Sequence, residues 1–300
     1  MNKVGSSHCF IIAVGVATAF CLRGAEEPKP AATNGPVRVV AAGWKASWSP
    51  DGQQLVYCQP NDQNIEFYDF NTRTNRDPKL RGKDPVWSPD GKWIAYVKSP
   101  EYNLYQQEET WLIAPKGGRP KLAYPAGWPA WSGDSRKIFV FSRQERKLLA
   151  CDLAKPDDPP AVLSENPLAM YPAVSPDGKL IAYPMANKTQ VVDSKTGEKL
   201  FTIPMEGERG GLAGWSPDSK WLTVGGYDNS PLGVWLVDLA GKKVYQLASG
   251  PFTMPAWSPK GDKLAMDLRK GRLKEIWVFQ RSWIEARIKG AVPVFPAPEE

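Results

Sequence analysis

Histidine, the side chain that many hydrolases and metalloenzymes depend on, is nearly absent from this sequence. It contains one histidine, His8, in an apolar N-terminal segment. Without that segment the chain has no His general base, no Ser-His-Asp or Cys-His arrangement and no imidazole metal ligand. The Gly-x-Ser-x-Gly nucleophile motif and the Gly-x-x-x-x-Gly-Lys-Ser/Thr phosphate-binding motif are also missing. We therefore predict a protein that is not an enzyme, with no catalytic residue, no metal and no cofactor.

Five aspartates recur in similar short motifs and could suggest acid chemistry. They are Asp51, Asp90, Asp134, Asp177 and Asp218. Each lies in its own motif, far from the others along the chain, and Asp is a standard turn residue. We interpret them as turn residues. A pair of carboxylates brought together by the fold could still act on a sugar, but the spacing of the acidic residues identifies no such pair.

The composition is that of a soluble protein with ample material for a core. Of 300 residues, 42% are apolar and 23% are charged, and the formal net charge of +6 is too small for a dedicated nucleic-acid binder. The chain contains 29 Pro, 26 Gly and 13 Trp. This excess of turn residues and aromatics predicts short strands.

The N-terminus has the pattern of a secretory signal. Lys3 gives a positive start, and the 14 apolar residues from Cys9 to Leu22 are too few to cross a membrane comfortably. Ala17-Thr18-Ala19 has the small-x-small form of a cleavage site. We predict a signal peptide over residues 1–21 and a periplasmic or secreted protein.

Cys21 leaves a lipoprotein as an alternative, which the bulky Phe20 before it disfavours. Residues 22–35, rich in Pro, Ala and Glu, are predicted to form a linker. No later segment reaches transmembrane length, so no membrane span is expected once the signal is removed. Two cysteines then remain, Cys58 and Cys151, which we predict to be buried thiols without a bridge, because they fall in the first and third units of a sequence repeat, described next, and these units are not neighbours.

The chain repeats one motif six times. Its copies are Trp48-Ser49-Pro50-Asp51-Gly52, Trp87-Ser88-Pro89-Asp90-Gly91, Trp131-Ser132-Gly133-Asp134-Ser135, Val174-Ser175-Pro176-Asp177-Gly178, Trp215-Ser216-Pro217-Asp218-Ser219 and Trp257-Ser258-Pro259-Lys260-Gly261. The first residues of successive copies are 39, 44, 43, 41 and 42 positions apart. A period near forty with four short strands per unit predicts a β-propeller.

The sixth unit has no convincing fourth strand of its own. The segment 37–44 resembles 120–128, which leads from a fourth strand into the next blade. We therefore predict that an N-terminal strand completes the last blade and closes the ring. The predicted fold is all-β: a single six-bladed propeller of four-stranded blades over residues 36–280. A short helix, with a capping box at Ser282 and a stop at Gly290, and a tail follow over residues 281–300.

The Trp-Ser-Pro-Asp-Gly-Lys-x-Ile-Ala-Tyr unit resembles the WD-like propeller repeat of the TolB-like family. The resemblance covers about five-sixths of the mature chain and implies a propeller that binds a protein partner in the cell envelope. TolB itself has an additional domain before its propeller, whereas this chain has only a linker. Pectin-lyase propellers have a similar repeat but depend on histidine ligands, which this sequence lacks.

One face of the propeller is predicted to carry the binding residues. Loops from fourth strands to the next blade and loops between second and third strands should emerge on the same side. The candidates on these loops are Trp44, Trp128, Tyr171, Phe252, Met254, Arg269, Lys270 and Arg272. The aromatic and Met side chains either form an exposed recognition surface or plug the tops of the blades.

We therefore expect a monomeric, exported, non-catalytic binding module. Its partner is expected to be an envelope protein and not nucleic acid. The alternative is a propeller that binds or processes carbohydrate, with Trp44 and Trp128 as stacking platforms.

Overall fold

The computed structural model describes residues 35–60, 64–98, 108–165, 169–185, 188–204, 211–226, 233–240 and 243–291. In these residues the chain forms six four-stranded antiparallel sheets and one short helix. The sheets are the blades of a propeller, so the predicted all-β, six-bladed fold is confirmed. The predicted signal peptide lies outside the described residues.

The first three blades each take four consecutive strands. Their strands are β2 (Trp44–Trp48), β3 (Gln54–Cys58), β4 (Asn64–Asp69) and β5 (Thr74–Arg81) in blade 1; β6 (Lys83–Trp87), β7 (Ile94–Lys98), β8 (Glu109–Ile113) and β9 (Lys121–Tyr124) in blade 2; and β10 (Gly127–Trp131), β11 (Lys137–Ser142), β12 (Lys147–Asp152) and β13 (Ala161–Ser164) in blade 3.

Blades 4 and 5 follow the same rule, and blade 6 combines the two ends of the propeller. Their elements are β14 (Ala173–Val174), β15 (Leu180–Pro184), β16 (Lys188–Asp193) and β17 (Lys199–Pro204) in blade 4; β18 (Leu212–Trp215), β19 (Trp221–Gly225), β20 (Val234–Asp238) and β21 (Lys243–Ala248) in blade 5; and β22 (Phe252–Trp257), β23 (Lys263–Lys270), β24 (Leu273–Gln280) and β1 (Val37–Val40) in blade 6, before helix α1 (Arg281–Ile288).

The ring is closed by the N-terminal strand, as predicted. β1 pairs antiparallel with β24, with Val37 opposite Val278 and Val40 opposite Ile276. Val40 is buried with Trp48 in the cluster between blades 6 and 1. Closure therefore joins the two ends of the propeller through both backbone pairing and a shared core.

The repeat tryptophans connect neighbouring blades. Each ends the first strand of its blade, and four of them donate the indole N–H to the preceding blade. The bonds are Trp48 to the Ala256 carbonyl (2.9 Å), Trp131 to the Val86 carbonyl (3.1 Å), Trp215 to the Ala173 carbonyl (2.9 Å) and Trp257 to the Thr223 hydroxyl (2.8 Å). Buried indoles are thus satisfied by acceptors that lie in another sheet, three of them backbone carbonyls and one a hydroxyl.

The motif Asp residues close turns, as predicted. In blade 1 the Ser49 hydroxyl donates to Asp51 (2.5 Å), and the backbone N–H of Gln53 donates to the same carboxylate oxygen (2.9 Å). These bonds lower the pKa of Asp51, because they favour its charged form. In blade 6 the motif has Lys260 at this position, and Asp262 accepts the serine hydrogen bond instead (2.7 Å).

The two described cysteines form no disulfide, and both are buried, as predicted. Cys151 packs between blades 2 and 3, where burial raises the pKa of its thiol to about 12. Cys58 lies on blade 1, and its sulfur accepts the backbone N–H of Asp84 (3.1 Å). Both thiols therefore act as small core residues.

Departures from the motif have local causes. At Gly133, which replaces the usual Pro, a Cβ atom would lie 2.2 Å from the Pro176 carbonyl oxygen of the next blade. Ser135 and Ser219, which replace Gly, have positive φ angles of 60° and 57°. The Ser135 hydroxyl accepts the backbone N–H of Asp90 (3.0 Å), a bond between blades that glycine could not make.

The C-terminal helix is present, but its predicted cap is wrong. α1 begins at Arg281 after Gln280 and has no side-chain capping bond, so Ser282 lies inside the first turn. Glu285, the expected partner in the capping box, instead pairs with Arg281 (2.8 Å). Among the described residues no helix is long and apolar enough to cross a membrane.

Several residues predicted to lie in loops are in strands. Trp44, Trp128, Phe252 and Met254 belong to first strands, which begin earlier than predicted. Arg269 and Lys270 lie in β23, and the last blade turns through only residues 271–272, where Arg272 lies. The motif predicts the end of each first strand well, but nothing in it predicts where the strand begins.

Closure by β1 can be tested with two truncations. Deleting residues 20–42 should sharply lower the melting temperature, because blade 6 loses its fourth strand and the buried Val40. Deleting residues 20–34 should leave it nearly unchanged. Thermal melts followed by circular dichroism measure both, and equal melting temperatures would reject the closure model.

Restoring the motif at Gly133 should destabilise the protein. Gly133→Pro places atoms against the Pro176 carbonyl, and crowding of this kind costs about 1–3 kcal/mol of unfolding free energy. Ser135→Gly is the matched control in the same turn. Ser135→Gly relieves the strain of a left-handed backbone conformation but removes the hydrogen bond from the Asp90 N–H. Its net effect on the unfolding free energy should therefore stay within about 1 kcal/mol. Urea unfolding measures both, and a stabilised Gly133→Pro variant would contradict the prediction.

Candidate functional site at the channel mouth

The first strands of all six blades surround a central cavity of about 530 Å³. Its wall consists mainly of small residues and prolines that directly precede the repeat tryptophans. At one end, the turn face, it is lined by the motif prolines Pro50, Pro89, Pro176, Pro217 and Pro259. At the other end, the mouth, it is lined by Lys45, Tyr171, Leu212 and Met254. The channel wall is thus mainly apolar, and the charged residue of its lining, Lys45, lies at the mouth.

Strained backbone surrounds the mouth. In five blades a residue with a positive φ angle lies three positions before the last residue of the first strand. These residues are Lys45 (55°), Asp84 (55°), Trp128 (53°), Tyr171 (53°) and Met254 (51°). In four of these blades the strand pairing shifts register at this point, as in a β-bulge. Bulges redirect side chains, and left-handed backbone is rare outside glycine. Strain of this kind clusters at functional sites.

Lys45 is the central side chain of the mouth. Its ammonium pairs with the Asp84 carboxylate (2.8 Å) and lies 4.2 Å from the centre of the Tyr171 ring. Its backbone N–H donates to Asp267 (2.7 Å). Lys45, Asp84, Tyr171 and Asp267 belong to blades 1, 2, 4 and 6. One lysine therefore connects four blades across the channel opening.

A second buried ion pair lies in blade 2. The Lys83 ammonium contacts the Glu108 carboxylate at 2.6 Å, and the carboxylate is almost completely buried. Burial raises the pKa of Glu108, and the nearby Asp84 charge raises it further, whereas Lys83 opposes this shift. An unpaired buried carboxylate lowers the stability of a fold, so the contact with Lys83 is needed for Glu108 to be tolerated at this buried position.

The aromatic side of the mouth is formed by Trp128 and Tyr171. Their rings meet edge to face, 5.7 Å apart, and the Arg143 guanidinium lies 4.9 Å from the Trp128 ring. Trp128 also packs on Phe141 at 5.9 Å. Only 4% of Trp128 is exposed, so this residue supports the mouth from within the core.

Six of the eight sequence candidates lie at the mouth end of a strand, and Tyr171 and Arg272 lie within two residues of one, but the eight do not form one exposed patch. Trp128 is buried, whereas Phe252 is half-buried and packs against Phe279 at the edge of the cluster between blades 5 and 6. Trp44, Tyr171, Met254 and Arg269 are half-buried, and only Lys270 and Arg272 are exposed. For Trp128 the burial therefore favours the core interpretation over the exposed-surface interpretation.

Sequence reasoning missed the charged residues of the mouth. Lys45 and Asp84 directly follow the first residues of β2 and β6, and Asp267 is fully buried in β23. A signal was present, because Lys45, Asp84, Trp128, Tyr171 and Met254 all occupy the same position of the repeat. Glu108 directly precedes β8, and nothing in its place along the repeat predicts that its side chain is buried. Within the described part of the chain, no group of three His, Cys, Asp or Glu side chains could hold a metal ion.

The burial of Trp128 leads to a prediction about stability. Trp128→Ala should cost about 3–5 kcal/mol of unfolding free energy, as truncations of buried aromatics do. Trp87→Ala should cost less, because Trp87 is only half-buried whereas Trp128 is buried. Neither indole N–H has a hydrogen-bond partner among the described residues, so packing alone decides the difference. Urea unfolding of the two variants provides the comparison. A larger loss for Trp87→Ala would contradict the packing described here.

No family model matches the chain, and no curated protein sequence matches it. Solved structures do. A putative TolB from Agrobacterium tumefaciens is 19% identical, with a TM-score of 0.56 over 79% of this chain and 90% of that one. TolB from Acinetobacter baumannii is 17% identical, with a TM-score of 0.53 over 81% of this chain and 65% of that one.

An oligogalacturonate lyase from Vibrio parahaemolyticus is 11% identical, with a TM-score of 0.54 over 80% of this chain and 78% of that one. At these identities the likeness concerns the fold alone. The chain therefore has a TolB-like six-bladed propeller fold.

Proposed function

We propose that this protein is an exported, non-catalytic propeller that binds a partner protein of the cell envelope at its channel mouth. The observation that carries the proposal is the Lys45–Asp84–Tyr171 constellation. It places a lysine, a buried carboxylate and an aromatic ring from three blades at the opening of an apolar cavity. Half-buried Tyr171 and Met254 line the same opening and offer apolar surface to a ligand.

The scaffold favours rigid recognition. The mouth side chains stand on innermost strands whose backbone is fixed by bulges, and buried pairs hold Lys45 and Lys83 in place. A partner that binds such a preorganised site loses little entropy in ordering it. An extended segment of the partner that enters the mouth would contact Tyr171 and Met254 and continue along the small residues of the channel wall.

The mouth can be tested by affinity capture with matched variants. The full chain, a Tyr171→Ser/Met254→Ser variant and a Lys92→Ser/Lys179→Ser variant are used as bait in envelope extract, followed by quantitative mass spectrometry. The first variant removes apolar surface at the mouth, and the second changes exposed side chains at the turn face. We expect one protein at near one-to-one recovery with the wild type and the turn-face variant, and a loss of about tenfold or more with the mouth variant.

Both variants must retain the wild-type melting temperature for this comparison to hold. Equal recovery with both variants would reject the mouth as the binding site. Recovery of no protein at stoichiometric level, together with binding of a carbohydrate, would favour the second candidate function.

That second candidate is acid chemistry on a carbohydrate at the same mouth. It is favoured by the likeness to an oligogalacturonate lyase and by Glu108, whose raised pKa would suit a general acid. Incubation with oligogalacturonate, with Glu108→Gln as the control, tests it. Turnover by the wild type that is lost in Glu108→Gln would replace the binding proposal with an enzymatic one.

A further inference from the structure

Positive charge is concentrated on one side of the propeller, away from the mouth. Residues 70–82 and 114–124 contain the outermost strands of blades 1 and 2 with their hairpin turns. They hold seven Lys and Arg residues and one Asp, a net charge of +6 that equals the formal net charge of the whole chain. The remaining residues together are neutral. We call this surface the basic wall; its basic residues are Arg73, Arg76, Lys79, Arg81, Lys116, Arg119 and Lys121, all exposed.

The basic wall is continuous across two blades. The Arg76 guanidinium on β5 donates to the Pro115 carbonyl of blade 2 (3.4 Å) and lies 4.0 Å from the Phe67 ring. On β9 the Lys121 ammonium lies 4.2 Å from the Trp93 ring. These stacks hold both cations against the protein surface. The single acidic residue, Asp77, is already paired with Lys79 at 2.6 Å.

The outer strand is built against pairing with another strand. Pro78 in the middle of β5 has no N–H to donate, and Lys79 has a left-handed φ of 58°. The pairing of β4 with β5 also shifts register here, between Ile65 and Phe67. Proline, bulges and charge are the features that stop a sheet edge from adding a strand. A partner therefore meets the side chains of the wall and not its backbone.

We propose that the basic wall docks the protein on an anionic phospholipid bilayer. A bilayer offers uniform negative charge, which suits a surface of one sign, and each Lys or Arg near it adds to the attraction. The wall also carries Leu122 on β9, 48% exposed, next to Lys121. An exposed leucine among cations fits the boundary between headgroups and acyl chains. The channel mouth lies at the end of the blades and stays accessible in this orientation.

Vesicle co-sedimentation of the full chain tests the proposal. The probes are vesicles of phosphatidylcholine alone and of equal parts phosphatidylcholine and phosphatidylglycerol, at low salt and at about 0.5 M salt, where screening acts within about 4 Å. The test variant is Arg81→Glu/Lys116→Glu/Arg119→Glu. The control variant, Lys195→Glu/Lys199→Glu/Lys260→Glu, changes the net charge equally at exposed sites on blades 4 and 6. All three proteins keep the same N-terminal segment, so its contribution is common to them.

We expect the wild type to bind anionic vesicles at least about tenfold better than neutral ones at low salt. The test variant should lose about tenfold or more, and the control variant no more than about twofold. Leu122→Ser should weaken binding severalfold at both salt concentrations, because it removes an apolar contact that salt does not screen. It also provides a second reading if the triple variant folds poorly.

Three results would overturn the proposal. The wild type could bind both kinds of vesicle equally, or the control variant could lose as much as the test variant. Retention on immobilised polyglutamate without binding to anionic vesicles would instead identify the wall as a surface for an acidic protein.

Discussion

The indole N–H that a repeat tryptophan donates to the preceding blade is the interaction on which the rest of the structure depends. Within the described residues no strand of one sheet pairs with a strand of another, so blades are joined mainly through side chains. A few single backbone bonds add to them, such as the Gly226 N–H of blade 5 to the Phe252 carbonyl of blade 6 (3.1 Å). The bond from Trp48 to Ala256 spans 208 residues of sequence and ties blade 1 to blade 6 where the ring closes. Blade 2 uses another donor: the backbone N–H of Trp87 bonds to the Ser47 hydroxyl of blade 1 (3.0 Å).

These bonds fix the geometry of the channel. The accepting carbonyls belong to Val86, Ala173 and Ala256, and each lies one residue before the first residue of the motif in its blade. The innermost strands of neighbouring blades therefore approach each other closely. The wall then consists mainly of small residues and prolines. At Gly214, for example, a Cβ atom would lie 2.1 Å from the Pro255 carbonyl oxygen. Larger side chains are displaced to the mouth, where bulges turn Lys45 and Asp84 towards one another. The strain at the mouth thus follows from the tight packing below it.

The sequence predicts the scaffold far better than the site. Six copies of one motif predict blade number, turns and closure, because these depend on residues within one repeat or on a visible likeness between repeats. The site depends on contacts between repeats, such as Lys45 with Tyr171, which are separated by 126 positions. Trp128 shows the limit: its bulge places the ring in the core, and no spacing in the sequence reveals a bulge.

The two proposed surfaces use charge in opposite ways, and this would let one molecule engage the two proposed partners independently. At the mouth, Lys45 and Lys83 are largely buried and paired with buried carboxylates, so dissolved salt screens them little. On the basic wall the cations are exposed, and only Asp77 offsets them, so their attraction reaches into solvent and weakens as salt rises. Specific recognition by a preformed site and non-specific attraction by an exposed one are therefore separated both in space and in their response to ionic strength.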